Sequence, residues 1–191
     1  MISTVTEYVQ KDPQLALYAE HMNMLMIEND STLAEFKLSI SQKYKRHRPR
    51  LLILLGNPAL LMRDEYRELW GDIPIVLCSE ENYLGPQETY TKKQAIATAD
   101  RTPLTQLADP YNMVLLYSNL YLDENIQLIC HIVPEIKKFI FIGDARQINQ
   151  TNNLDIRNKL KKTHPNVEYQ FITPQAVSYT HLRAHETELH L

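Results

Sequence analysis

Arg50-Leu-Leu-Ile-Leu-Leu55 is a short, unbroken apolar run, stopped at once by Gly56-Asn57-Pro58. A run of that length without polar alternation marks a strand buried on both faces, and such strands belong to parallel sheets. The same pattern returns in Ile73-Pro-Ile-Val-Leu-Cys78, which exits into Ser79-Glu80-Glu81-Asn82-Tyr83. It returns again in Asn112–Ser118 and in Lys138-Phe-Ile-Phe-Ile142, which exits into Gly143-Asp144. Val167–Ile172 alternates instead, as a more exposed strand does. Between these runs, Asp64–Trp70, Tyr121–Ile132 and Asn153–Thr163 read as helices. The alternation predicts an α/β fold, a mostly parallel Rossmann-like sheet flanked by helices.

Upstream the pattern is looser. Val5, Tyr8, Val9, Leu15, Leu17 and Tyr18 suggest helix, interrupted at Asp12-Pro13. His21–Glu28 alternates enough to be a strand. Asn29-Asp30-Ser31-Thr32 is an N-cap cluster, and Glu35 three residues after Thr32 fits a capping box. The helix that follows carries Leu33, Phe36, Leu38 and Ile40 and ends in the basic segment Lys43–Pro49, where cations suit a C-terminus. From Leu84 to Tyr111, prolines 86, 103 and 110 predict a long, partly irregular connection. A doubly wound sheet opens with a strand, so a helix in first place predicts that an opening strand is missing.

The composition narrows the function classes. Apolar residues make up 44% and charged residues 23%, both ordinary for a globular chain. A net charge of −3 offers no nucleic-acid footprint. The four glycines, Gly56, Gly71, Gly85 and Gly143, cannot be arranged into a phosphate-cradling loop. Cys78 and Cys130 sit in apolar runs and read as small buried hydrophobes. No export signal, membrane span, internal repeat or cofactor motif is visible.

The last fourteen residues, Ser178-Tyr-Thr-His-Leu-Arg-Ala-His-Glu-Thr-Glu-Leu-His-Leu191, break with what precedes them. His181 and His185 have the spacing of two ligands on one helix face, and His190 follows. The segment resembles the translated sequencing-adaptor peptide that recurs at the ends of unrelated gene models, so 178–191 is set aside as a non-native tail.

In open parallel sheets, ligands lie beyond the carboxyl ends of the strands. That rule selects Asn57, then Glu80, Glu81 and Asn82, then Ser118 and Asn119, then Asp144 and Arg146, as hydrogen-bonding groups for a small polar ligand. Turn chemistry competes at each position, because Asn, Asp and Ser are also what turns need. Glu80-Glu81 are adjacent, so their side chains diverge, and a solvated loop explains them better than paired acid–base carboxylates. Asp144 is a single carboxylate without the second acidic pair that a Mg²⁺ site requires. Ser79 and Ser118 follow strands, but neither lies in G-x-S-x-G, and His21, His47, His131 and His164 form no grouping with them. Tyr83, Tyr90, Tyr111, Tyr117 and Tyr121 gather around the long connection, where an apolar face with a hydroxyl suits a cleft or ordinary packing; Tyr121 joins the candidate ligand-binding set.

Arg50-Leu-Leu-Ile-Leu-Leu-Gly-Asn-Pro-Ala59, Trp70-Gly-Asp-Ile-Pro-Ile-Val-Leu-Cys78, Tyr121–Ile129 and Pro134-Glu-Ile-Lys-Lys-Phe-Ile-Phe-Ile-Gly-Asp144 together resemble the core of type I periplasmic-binding-like domains. In particular they resemble the extracytoplasmic sensor region of hybrid two-component histidine kinases from the Bacteroides group. The resemblance spans residues 15–175. It implies an incomplete two-lobe arrangement, with 1–112 as a first lobe lacking its opening strand and 113–177 as the start of a second. It further implies a small-molecule ligand in an interlobe cleft, no cofactor and no catalysis in this segment. A kinase region of the same chain and a membrane span would lie downstream, and a homodimer stays open as a further partner. Related domains serve as solute-binding proteins of ABC transporters, which is the competing reading. A flavodoxin-like enzyme is the third.

Overall fold

The computed structural model describes residues 2–173. The expectations placed on the tail and its histidines lie outside them. In chain order the elements are α1 (Ile2–Val9), α2 (Asp30–Tyr44), β1 (Leu52–Leu55), α3 (Arg63–Trp70), β2 (Ile75–Ser79), β3 (Tyr83–Leu84), α4 (Gln87–Thr91), β4 (Thr102–Pro103), α5 (Leu104–Ala108), β5 (Met113–Tyr117), α6 (Leu122–Ile132), β6 (Lys138–Ile142), α7 (Gln147–Thr163) and β7 (Glu168–Ile172). Three short 3₁₀ turns, Asn57–Met62, Thr98–Asp100 and Asp109–Tyr111, complete the connections.

The fold is mixed α/β with a small parallel sheet flanked by helices. β2 lies at its centre and pairs in parallel with β1 on one side and β5 on the other. β6 and β7 form a separate parallel pair, and β3 and β4 a two-residue antiparallel ladder. The strand placed by sequence at the head of a second lobe, β5, therefore hydrogen-bonds within the first sheet, and the second sheet begins at β6.

One face of the first sheet carries the main core. Leu54, Ile75, Leu77 and Met113 point into a cluster with Leu33 and Ile40 of α2, Tyr66 and Trp70 of α3, and Leu104 and Ala108 of α5. The other face is uncovered among the described residues. In register across the three strands it presents Ile53, Val76 and Val114, then Leu55, Cys78 and Leu116. Ile53, Leu55, Val114 and Leu116 are exposed, and Val76 and Cys78 half-buried. Burial on both faces was the expectation from the apolar runs, and it fails for a topological reason. Parallel neighbours are joined by right-handed crossovers, and the two steps β1 to β2 to β5 run in one direction, so both connections fall on the same face.

The second sheet has its own small core. Ile126 of α6 and Ile156 and Leu160 of α7 are buried together, with Phe139, Phe141 and Tyr169 packed against them from alternate positions of β6 and β7. Phe141 and Phe171 stack across the two strands at 5.3 Å.

Several boundaries differ from expectation. Pro13 ends the amino-terminal helical stretch, and Leu15, Leu17 and Tyr18 are exposed outside any helix. His21–Glu28 forms no strand; a turn closes from Met26 N to Asn23 O, Ile27 is buried in the core, and Met22 and Met24 pack against it partly buried. An alternating run becomes a strand only beside a partner edge, and none meets it here. Asn29, not Thr32, caps α2, its Oδ1 accepting from Thr32 N at 3.0 Å. Thr32 thus sits at the third helical position that a capping-box glutamate would fill. The long connection is more ordered than predicted, because Tyr90, Ile96 and Leu104 each bury into the main core.

Gly85 permits that burial. A Cβ there would lie 2.5 Å from Cδ1 of Ile96, which is fully buried. Gly85→Ala is expected to cost about 1–3 kcal/mol by overpacking, and Ile96→Ala about 2–5 kcal/mol by leaving a cavity. Since each change relieves the other, the double variant should fall short of the sum by more than about 0.5 kcal/mol. Urea denaturation of the three variants measures this, and strict additivity would refute the close approach.

Candidate functional site

The exits of β1 and β2 meet in one hydrogen-bonded knot. Gly56 turns the chain at φ +87°, a conformation that favours glycine, and delivers Asn57 into the interior at 2% exposure. The Asn57 amide donates to the carbonyls of Tyr83 and, at 3.4 Å, Glu81, while its oxygen accepts from the Ser79 hydroxyl. The Ser79 hydroxyl also accepts from Glu81 N at 3.0 Å. Asn57 is thus fully engaged in holding the loop that follows β2.

That loop places Glu81 where a carboxylate is rarely found. Glu81 is only 7% exposed, although its neighbours Glu80 and Asn82 are in solvent. The expectation of a solvated loop holds for Glu80 and fails for Glu81, because the knot pulls alternate residues inward. Oε1 of Glu81 accepts from the Tyr83 hydroxyl at 2.8 Å. Burial pushes the Glu81 carboxyl above its ordinary value; the Tyr83 hydrogen bond and the Arg101 charge oppose this, and Asp155 and Glu80 reinforce it. The Tyr83 phenol is pushed up as well, first by burial and then by Glu81.

Arg101 completes the arrangement. Its guanidinium lies 4.5 Å from the centre of the Tyr83 ring, a cation–π position. Nη2 donates to Asp155 Oδ1 of α7 at 2.7 Å and to the Ile96 carbonyl at 3.0 Å. Beside it, Ile96 N donates to the Thr151 hydroxyl at 2.9 Å, and the Gln147 amide donates to the same oxygen at 2.7 Å. Glu81, Tyr83, Arg101 and Asp155 therefore run as a charged chain from the carboxyl end of the first sheet to the second unit. Such a chain can orient a hydrogen-bonding group or carry an electrostatic change between the units. Among the described residues, no three His, Cys, Asp or Glu side chains come together as a metal site.

The remaining sequence-selected residues fall into two local groups. Ser118 is exposed, and its N–H extends the ladder to Ser79 O at 2.9 Å. Asn119 closes a turn by accepting from Tyr121 N at 3.1 Å, and Tyr121, at φ +48°, leads into α6 with its side chain 57% exposed. Asp144 accepts from Arg146 N at 2.9 Å, Arg146 Nε at 2.7 Å and Asn149 Nδ2 at 2.6 Å. Partial burial acts to raise the Asp144 carboxyl, but these donors together hold it below its ordinary value. Only the backbone bond from Ser118 to Ser79 ties the first group to the knot around Glu81, and no side chain of either group bonds Glu81, Tyr83, Arg101 or Asp155 among the described residues. The tyrosines likewise disperse: Tyr90 is buried with its oxygen accepting from Gly85 N, Tyr111 bonds Asp64, and Tyr117 and Tyr121 face outward.

Sequence reasoning missed Arg101, Thr151 and Asp155. Arg101 stands in the irregular connection, and its partner lies 54 residues away, beyond any local pattern. One signal was present. Gln147, Thr151 and Asp155 recur every fourth residue, so they share one face of α7 and mark a polar seam. Two shallow concavities lie elsewhere, one beside Arg63, Arg67 and Tyr111 at the amino end of β2, the other around Val9, Leu15 and Leu17.

Because folding raises the Glu81 pKa, the fold favours its neutral form. Stability from that preference is present at acid pH and is lost as pH rises through the raised value. Glu81→Gln keeps the acceptor for Tyr83 and removes the charge, so its stability relative to the parent should improve from about pH 4 to about pH 8. Urea denaturation at the two pH values tests the sign, and a constant or shrinking difference would contradict it. No family model matches the chain, and no curated protein matches it either.

Proposed function

We propose that the chain is a ligand-sensing input region of a hybrid two-component sensor kinase, built on the type I periplasmic-binding plan. The observation that carries this reading is the presence of two parallel units in one chain, each with its own apolar cluster. Two such units with polar groups at their strand exits are what cleft closure on a small polar ligand requires. Under this reading the segment lies outside the cytoplasm, and the kinase region belongs to other parts of the parent protein. No helix among the described residues is long and apolar enough to cross a membrane.

Ligand contacts under this reading come first from groups that the fold leaves free. Asn82 is exposed, and only its backbone is engaged, its carbonyl accepting from Leu104 N at 2.9 Å. Asp144 is committed to its turn but keeps a half-exposed carboxylate. The mechanism is a population shift, in which a ligand that binds the closed form better moves the equilibrium by its differential affinity.

Reading the genomic locus on both sides of this frame tests the proposal directly. An export signal upstream with a membrane span and kinase core downstream is the expected result. A stop directly after a completed second unit would replace it with a transporter-type solute-binding protein. In the parent receptor, Asn82→Ala should weaken the response to its small polar ligand by up to about tenfold, the worth of one hydrogen bond, with stability changed by less than about 0.5 kcal/mol. A reporter of the receptor's transcriptional output reads this, and an unchanged response removes Asn82 from the site.

A further inference from the structure

The second parallel unit touches the first through a joint of unusual character. The two apolar clusters are separate, and the hydrogen bonds and ion pair between α7 and the connection are polar. Thr151 and Ile96 are fully buried at this joint, so the Ile96 N–H to Thr151 bond is dry. Water can replace such bonds when the units part, which makes separation far cheaper than splitting an apolar core. The obstacle is Arg101, whose side chain is only 17% exposed and which would lose Asp155. Stranding a largely buried cation without a partner is costly.

The fold supplies a second anion for it. Tyr83 carries the guanidinium on its face and Glu81 on its hydroxyl, so the two carboxylates flank Arg101 from opposite units. We propose that Arg101 is a two-position clasp: paired with Asp155 it holds the second unit against the first, and paired with Glu81 it releases that unit while both sheets stay folded. The proposal rests on the separate cores and this charge geometry, and does not depend on the receptor reading.

The clasp carries a definite pH dependence. The groups facing Glu81 are Tyr83 of β3, Tyr90 of α4, Arg101, Asp155 of α7 and the neighbouring Glu80. In the closed position Arg101 serves Asp155, and the buried Glu81 favours its neutral form. In the released position Arg101 lies against Glu81 and favours the carboxylate. Release therefore gives up a proton from Glu81, and rising pH favours it.

Native-state hydrogen exchange on the full chain, expressed as protection factors, tests this. The Ile96 amide reports the joint and the β2 amides report the first sheet. Asp155→Asn should lower Ile96 protection on the order of tenfold or more and leave β2 unchanged. In the parent chain, Ile96 protection should fall between about pH 5 and about pH 8, and Glu81→Gln should abolish that fall. An unchanged Ile96 amide in Asp155→Asn, or a parental pH response in Glu81→Gln, would overturn the clasp. Loss of protection at Ile96 and β2 in step would overturn it too, since the units would then separate only by unfolding.

Discussion

Parallel pairing on both sides of β2 is the constraint from which the rest of the molecule follows. A central strand in a parallel sheet needs a crossover on each side, and the chain makes both crossovers in the same direction. Helices α3 and α5, with α2 before them, are thereby committed to one face, and Leu77 at the centre of that face becomes fully buried. The same commitment sends the carboxyl ends of β1 and β2 to a common edge, where Asn57, Ser79 and Glu81 have to satisfy one another. A buried amide and a buried hydroxyl there are fully bonded. Glu81 pays for the arrangement with a carboxylate that is hard to ionise.

The second unit obeys the same rules on a smaller scale. β6 and β7 are joined by α7, one long crossover that packs Ile156 and Leu160 onto Phe139 and Phe141. What α7 shows to the first unit is different, a row of Gln147, Thr151 and Asp155. One helix therefore has an apolar side that binds it permanently to its own sheet and a polar side that binds it conditionally to another. Apolar burial is non-directional and lost only by unfolding, whereas polar contacts have a defined geometry and an aqueous substitute.

Much of this was legible in the sequence because it depends on short-range pattern. The runs Arg50–Leu55, Ile73–Cys78, Asn112–Ser118 and Lys138–Ile142 hold the strands β1, β2, β5 and β6, and Asp64–Trp70, Tyr121–Ile132 and Asn153–Thr163 mark helices, with boundaries that moved by only a few residues apart from the first turns of α7. The side to which each strand faces water was not legible, since a sheet covered on one face and a sheet covered on two can use the same run of Leu and Ile. His21–Glu28 misled for a related reason, because alternation describes a strand's surface and says nothing of whether an edge is there to receive it. Of the nine candidate residues, eight from the strand exits and Tyr121 from the aromatics, Asn57 and Glu81 do meet, while Asn119 with Tyr121 and Asp144 with Arg146 serve their own turns. Arg101 and Asp155 were invisible because only tertiary folding brings them together.

The two sheets also differ in how far along the chain their partners lie. β6, α7 and β7 are consecutive, so the second sheet closes from one uninterrupted stretch. β5 reaches β2 only after the whole segment of β3, α4, β4 and α5 has been laid down and Ile96 has slotted beside Gly85. Contacts between near neighbours form faster than contacts that must close a long loop. Joining β5 to β2 therefore closes 38 residues, from Ile75 to Met113, against 30 from Lys138 to Glu168 in the second sheet and 23 from Leu52 to Ile75 between β1 and β2, so the last strand of the first sheet makes the longest closure in either sheet.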